Sequence, residues 1–256
     1  KDFNICVGDC DIATIKQVEK AAKVWGILDL CEKYSAKFVN LSKQETVKVK
    51  VSGRVFDEIE VPRCIHESHS VITVPVCKTH SVTIMTGALK NQWGCIPRFR
   101  HQFHPYIDWA IPEINKAVSP DFAVIDASIS LEGDGPTSGI PKITNSLLAS
   151  KDIVAIDSAM ADFMGIDNNK IKYITNAEKL WLGNTDYETK GDAINNEDFT
   201  PAKFRNTPFA FVEMHLRKIP LIRKIVFNTP IFKLGCFMAS RYHTFAWYNL
   251  KGKQYA

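Results

Sequence analysis

Four short segments of the chain place polar side chains where a parallel sheet could bind a small ligand. They are residues 77–80, 89–94, 126–139 and 149–152, which we place at the ends of predicted strands. Lysine ammonium groups, amides and hydroxyls bind carboxylates and phosphates. Carboxylate oxygens are hard ligands that suit Mg²⁺ or Ca²⁺ better than a soft metal. The segments therefore predict a site for a small anion, with a divalent cation as a candidate cofactor.

The side-chain types suggest a role for each residue at this predicted site. A histidine can serve as general acid or base near neutral pH, and lysines can hold an anion. The predicted catalytic residues are His80, Lys78 and Lys90. Glycines let a backbone approach a ligand closely, and short polar side chains orient that ligand. The predicted substrate-binding residues are Thr79, Asn91, Gly133, Gly135 and Ser150. The predicted ligands of a divalent metal are Asp126, Glu132 and Asp134.

Each of these segments also has an ordinary structural interpretation. A lone Lys or His in a loop is usually solvated, and the Gly-Asp-Gly-Pro run at 133–136 is typical of a turn. The sequence contains no phosphate-binding loop, no dinucleotide-binding glycine pattern, no nucleophile elbow and no His-Glu-x-x-His. The occurrence of all four segments at consecutive strand ends is what favours a site.

Strands alternate with helices along the chain, which is typical of an α/β fold with a doubly wound, mostly parallel sheet flanked by helices. Such sheets bind ligands at the carboxyl ends of their strands. The predicted strands are 3–7, 36–41, 70–76, 122–126 and 146–149, with a β-hairpin insertion over 46–61. The run 70–76 is apolar almost throughout, as expected of a strand buried on both faces. The predicted helices are 12–34, 105–117, 152–164 and 171–182, with Asp152 as an N-cap.

The composition excludes several classes of protein. The chain has 256 residues, of which 45% are hydrophobic and 23% charged, which rules out a disordered or collagen-like chain. Seven scattered cysteines, an odd number, indicate reduced thiols and a cytoplasmic protein. No uncharged apolar run reaches about 18 residues, so we expect neither a membrane-spanning helix nor a signal peptide. The first residue is Lys1, so we expect the natural start to lie upstream.

Basic residues are concentrated near the C-terminus. Between residues 205 and 256, nine Lys or Arg residues stand against Glu213 alone, giving +8, whereas the rest of the chain carries −4. We predict an α/β domain at 1–183, a linker at 184–204 and a basic, amphipathic, helical segment at 205–256. Apolar residues interleaved with cations suit packing onto the body of the chain, an anionic membrane surface or a protein partner. Nucleic acid ranks last, because the apolar content exceeds what phosphate contacts need.

The polar segments resemble the hallmarks of a known family, the domain of unknown function 362. The matching stretches are Lys-Thr-His at 78–80, Leu-Lys-Asn at 89–91, Glu-Gly-Asp-Gly-Pro at 132–136 and Ser-Lys-Asp-Ile-Val-Ala-Ile-Asp at 150–157. The resemblance implies no reaction, although the ferredoxin-like module of several members slightly favours redox chemistry by analogy. This chain has no Cys-x-x-Cys-x-x-Cys run, so we expect no iron–sulfur cluster. It also lacks the family's usual opening strand with a Lys-Pro-Asn type motif.

Two functional hypotheses remain open at this point. In the first, the protein is an enzyme of undefined reaction class, with an oxidoreductase slightly favoured, that acts on a small carboxylate or phosphate. In the second, it is a non-catalytic accessory protein that holds a cofactor or metal and docks to a membrane or larger complex through residues 205–256. Both place the protein in the cytoplasm, and the second places it at the membrane periphery.

Overall fold

The computed structural model describes residues 4–11, 17–96, 100–136, 139–202, 215–227, 229–230, 234, 237–238, 241 and 245. The chain divides into two compact units. The first unit comprises Lys1–Gln44, Pro97–Pro105 and Val212–Ala256, and the second comprises Glu45–Ile96 and Tyr106–Phe211. All of the predicted site residues lie in the second unit.

The first unit contains a small parallel β–α–α–β arrangement. Strands β1 (Cys6–Asp9) and β2 (Lys37–Asn40) pair in parallel, and α1 (Val18–Val24) and α2 (Ile27–Lys33) connect them. The predicted helix over 12–34 is therefore two helices, and its residues 12–16 lie outside the described part. Gly26 divides them because it adopts the left-handed conformation, with φ of 72°, that glycine tolerates best.

The predicted basic segment 205–256 is described only in part, since 205–214 and 246–256 lie outside the described residues. It contributes helix α8 (Pro220–Phe227) to the first unit. The helix starts at a proline, which suits a first helical turn because the missing N–H has no helical partner there. Among the described residues, no helix is long and apolar enough to span a membrane.

The second unit begins with the predicted β-hairpin. Strands β3 (Thr46–Lys50) and β4 (Glu58–Pro62) pair antiparallel, and the short helix α3 (Arg63–His66) follows. The buried carboxylate of Glu113 accepts hydrogen bonds from the backbone amides of residues 54–56 at 2.6 to 3.1 Å. This carboxylate satisfies the turn's backbone donors and attaches the hairpin to helix α5 (Ile107–Val118), which carries Glu113.

A five-stranded sheet forms the centre of the second unit. Its strands are β5 (Ile72–Thr73), β6 (Val76–His80), β7 (Ile84–Thr86), β8 (Phe122–Glu132) and β9 (Ile140–Ser150). Strand β8 pairs in parallel with β5 and β6 but antiparallel with β9, and β6 pairs antiparallel with β7. The α/β class is confirmed, whereas this sheet is mixed rather than mostly parallel. The short connections at 81–83 and 133–139 explain the difference, because a parallel pair needs a crossover of about a dozen residues or more.

One face of the sheet is covered by helices. Helices α4 (Ala88–Asn91) and α6 (Ile153–Phe163) contact β8, and α5 packs against α4 and against α7 (Lys172–Lys179). The side chains of Ala123, Ile125 and Ala127 point to this covered face and are fully buried. The predicted linker is also part of this packing at its end, since Phe199 is buried and its amide donates to Met164 O at 3.0 Å.

Helix α4 is held in place by a buried carboxylate on α6. Asp157 is fully buried and accepts hydrogen bonds from the amides of Ala88, at 2.6 Å, and Leu89, at 3.1 Å. Burial raises the pKa of Asp157 to about 7, although both amide hydrogen bonds act to lower it. Gly87 precedes the helix, and any Cβ at that position would clash with Asp157 Oδ1.

We expect stability to depend on the protonation of Asp157. The unfolded chain releases this proton near pH 4, whereas the folded protein keeps it to about pH 7. The stability contributed by the protonated form is therefore present at low pH and is lost as the pH rises through about 7. The difference in unfolding free energy between wild type and Asp157→Asn should shrink by a few kcal/mol from pH 4 to pH 8. Urea denaturation measures this, with Asp192→Asn, an exposed site, as control; a constant difference would contradict it.

Candidate functional site

The turn between β8 and β9 is attached to β6 through Thr79. The hydroxyl of this buried threonine donates to Gly133 O at 2.9 Å. Gly133 has a φ of 73°, and a Cβ on Gly135 would clash with Thr79 O. The amide of Gly133 donates to Thr200 O at 2.8 Å, and that of Gly135 donates to Gly133 O at 2.6 Å. The described contacts of these predicted substrate-binding residues are therefore contacts that build the turn.

His80 and Lys78 lie on the same face of β6, near its carboxyl end. They pair across to Ile84 and Thr86 of β7, and residues two apart on a strand share a face. His80 is buried, and its Nδ1 accepts hydrogen bonds from the amides of residues 82 and 83 at 3.0 and 3.3 Å. A neutral ring held in this way carries its hydrogen on Nε2. A lysine cation and an oriented histidine ring thus lie on one face of β6.

Lys90 and Asn91 lie at the other end of the strand run 72–80. Asn91 Nδ2 donates to Thr73 Oγ1 at 2.9 Å, and Lys90 is buried with Nζ 5.8 Å from the ring centre of Trp93. An extended chain from Thr73 to His80 covers about 20 Å. Asn91 is thus separated from the carboxyl end of β6, where the sequence predicted one shared pocket.

The three carboxylates predicted to bind a metal are not brought together. The Asp126 carboxylate accepts hydrogen bonds from the amide and hydroxyl of Ser128, which lower its pKa. Glu132 lies 3.5 Å from Lys142 Nζ and accepts from the amide of Thr200 at 3.0 Å. Asp134 is exposed on the turn. Among the described residues, no three His, Cys, Asp or Glu side chains form a cluster that could hold a metal ion.

The register of β6 and β8 explains why the predicted residues separate. Lys78 pairs with Leu131, so Glu132, the next residue, points to the opposite face. Asp126 pairs with Val76 and therefore shares the face of Lys78. The predicted residues thus divide between both faces and both ends of the strands, and the expectation of a single pocket is not met.

Ser150 and Asp152 form the junction between β9 and α6. Asp152 Oδ1 accepts hydrogen bonds from the amides of residues 154 and 155 at 2.8 and 2.9 Å, which confirms the predicted N-cap. The hydroxyl of Ser150 accepts from the amide of Asp152 at 2.9 Å. The described contacts of Ser150, predicted to bind substrate, therefore fix the start of the helix.

Sequence reasoning missed Glu113 and the role of Asp157. A charged residue within the apolar stripe of α5 is a signal that would have identified Glu113 as a buried acceptor. A cavity of about 290 Å³ lies beside it, lined among others by Ser52, Arg54 and Lys116. A second cavity, of about 190 Å³, is lined among others by Asp108 and Tyr173. Neither of these two cavities includes a residue predicted as part of the site.

A comparison with known protein families identifies the family of this chain. The family described as Domain of unknown function (DUF362) matches residues 1–162. The chain belongs to this family. The resemblance carried by the motifs at 78–80, 89–91, 132–136 and 150–157 is thereby confirmed. The match includes Asp157, so the DUF362 region contains both the buried carboxylate and the α4 amides that it holds.

The chain is also similar to a protein whose name gives a cellular location. The thylakoid-associated protein sll1697 of Synechocystis sp. (strain ATCC 27184 / PCC 6803 / Kazusa) is 28% identical to this chain over 138 residues. Those residues are 51% of this chain and 43% of that protein, so the matched part is less than half of the relative's length. No solved structure matches the chain.

The two glycines of the turn should respond differently to the same substitution. Gly135→Ala introduces a clash with Thr79 O, which is backbone and can yield only if the turn moves. Gly133→Ala meets nothing within 4 Å and adds only the strain of a left-handed alanine, about 1–2 kcal/mol. We expect Gly135→Ala to lower the unfolding free energy clearly more than Gly133→Ala does. Equal losses in chemical denaturation would mean that the turn does not lie against β6 as described.

Proposed function

We propose that this protein binds a small carboxylate or phosphate at the carboxyl end of β6, with Lys78 as the cation and His80 as a hydrogen-bond donor. The observation that carries the proposal is the shared face of these two residues together with the two amide hydrogen bonds to His80 Nδ1. The ammonium group attracts the anion, and a hydrogen bond from Nε2–H orients it. Carboxyl ends of strands are common ligand sites in α/β sheets.

The same arrangement supports an enzyme if negative charge develops on the bound anion during a reaction. The Nε2–H of His80 would then stabilise that charge as a hydrogen-bond donor, beside the ammonium group of Lys78. An oxidoreductase activity remains a prediction from the family resemblance. A divalent metal remains a prediction from residue types, and the separation of the three carboxylates gives it no further support. Binding is therefore the core of the proposal, and turnover is a further step to be measured on any anion that binds.

Titration with inorganic phosphate and with acetate tests the binding site. We expect at least one of them to bind, and Lys78→Met and His80→Asn each to weaken it about tenfold, or about 1.4 kcal/mol. Asn keeps an acceptor for the amides of residues 82 and 83 but removes the distal donor. Lys151→Met, at an exposed lysine of the same unit, is the matched control. Calorimetry that finds no binding of either anion, or equal binding by all variants, would contradict the proposal.

A second proposed role is peripheral association with an anionic membrane surface through the described part of residues 215–245. Large apolar side chains are exposed there: Leu216, Ile219, Leu221, Ile225, Leu234, Phe237, Met238 and Phe245. The surrounding segment 205–256 carries a charge of +8. Apolar groups that enter the acyl boundary and cations that meet headgroups are the two requirements of an interfacial segment. The thylakoid association of the relative supports this role and a membrane-peripheral location. The cytoplasmic location stays a prediction from the cysteine content.

Vesicle flotation tests the membrane role. Leu221 and Ile225 lie four residues apart on α8 and are 67% and 48% exposed, so they share one helix face. We expect wild type to float with phosphatidylglycerol-containing vesicles, and Leu221→Ser with Ile225→Ser to abolish flotation. Trp181→Ser, at a residue 94% exposed in the other unit, should leave flotation unchanged. Equal flotation with neutral vesicles, or flotation of the double variant, would contradict an anionic membrane as partner.

A further inference from the structure

The face of the five-stranded sheet opposite the helices is apolar and exposed. Its exposed aliphatic side chains, which we call the apolar sheet face, are Ile72, Val74, Val76, Ile129, Ile143 and Leu147. The register places them on one side, because Val76 and Leu147 both pair with Asp126, and Ile129 pairs with Ile143. Five of the six are 59% to 71% exposed. They extend over β5, β6, β8 and β9 as one surface, with Val74 between β5 and β6.

The run 70–76 has the sequence pattern of a strand that is buried on both faces. The run 70–76 lacks the alternation of apolar and polar residues that a half-exposed strand has. In the structure, Ile72 and Val74 are more than 60% exposed, so the described residues do not cover this strand on both faces as expected. A contiguous apolar patch of this extent on a folded protein marks an interaction surface.

We propose that a second copy of this chain covers the apolar sheet face. At roughly 100 Å² for each side chain, the six offer about 600 Å² per copy, close to the 800 Å² per partner of a standard stable interface. Two sheets pack face to face with their side chains interdigitated about 10 Å apart. A two-fold axis brings the same patch of both copies together, so a face that is apolar throughout can pack against itself.

The charges on the same face favour a second copy over a lipid bilayer. Asp126 lies between Val76 and Leu147, and hydrogen bonds from Ser128 favour its ionised form. Burial of that carboxylate in lipid without a cation is costly. At a protein interface, hydrogen bonds and bridging waters can satisfy such a carboxylate, which lipid acyl chains cannot do.

Sedimentation velocity over the micromolar range tests the proposal. We expect wild type to form dimers, and Leu147→Lys, at a residue already 71% exposed, to weaken the dimer at least tenfold without unfolding the chain. Ile140→Lys is the matched control, because Ile140 lies on the same strand and is 56% exposed but pairs with Glu132 on the opposite side. Circular dichroism verifies that both variants are folded.

Three outcomes would overturn the proposal. Wild type could remain monomeric at all concentrations, or Leu147→Lys could dimerise as well as wild type does. Monomeric wild type could also float on vesicles in a manner abolished by Leu147→Lys, which would make lipid the occupant. None of these results depends on anion binding by Lys78 and His80, since neither residue is changed.

Discussion

The buried carboxylate of Asp157 connects parts of the chain that are distant in sequence. Its hydrogen bonds to the amides of Ala88 and Leu89 join α6 to α4, and Gly87 leaves the space that these bonds need. An unpaired carboxylate at such depth would be costly, so the amides and the acid depend on each other. The Leu-Lys-Asn stretch of α4 is thereby fixed against the sheet. Two of the family's motifs thus meet in one structural contact.

Alternation along the strands decides which motif residues can act together. In Lys78-Thr79-His80, the outer two residues share one face, while Thr79 points to the other and holds the turn after β8. A motif that is continuous in sequence therefore supplies both a candidate ligand site and a structural hydrogen bond. Strict alternation would place Asp126 and Glu132 on the same face. The register irregularity of β8 between Ala127 and Ile129 puts them on opposite faces, so these predicted metal ligands do not meet.

Local sequence patterns predicted the helices and strands better than they predicted strand pairing and hydrogen-bond partners. The hairpin over 46–61 and the N-cap at Asp152 were predictable because the alternation and the capping residue are local signals. The direction of β9 was not, because the apolar stretch 146–149 is compatible with either orientation and only the short connection decides it. The role of Asp157 was not predictable either, because its partners are the backbone amides of Ala88 and Leu89, which no residue type reveals. Pairing and register are set by distant parts of the chain.

The central claim is that a small anion binds beside Lys78 and His80, while the motif residues of α4 serve the framework. The most direct measurement is an amide NMR titration of the ¹⁵N-labelled protein with inorganic phosphate or acetate. We predict that the largest chemical-shift changes fall on residues 78–83 and that the amides of Ala88 and Leu89 change little. Largest changes at residues 88–91, or no changes with either anion, would contradict the claim.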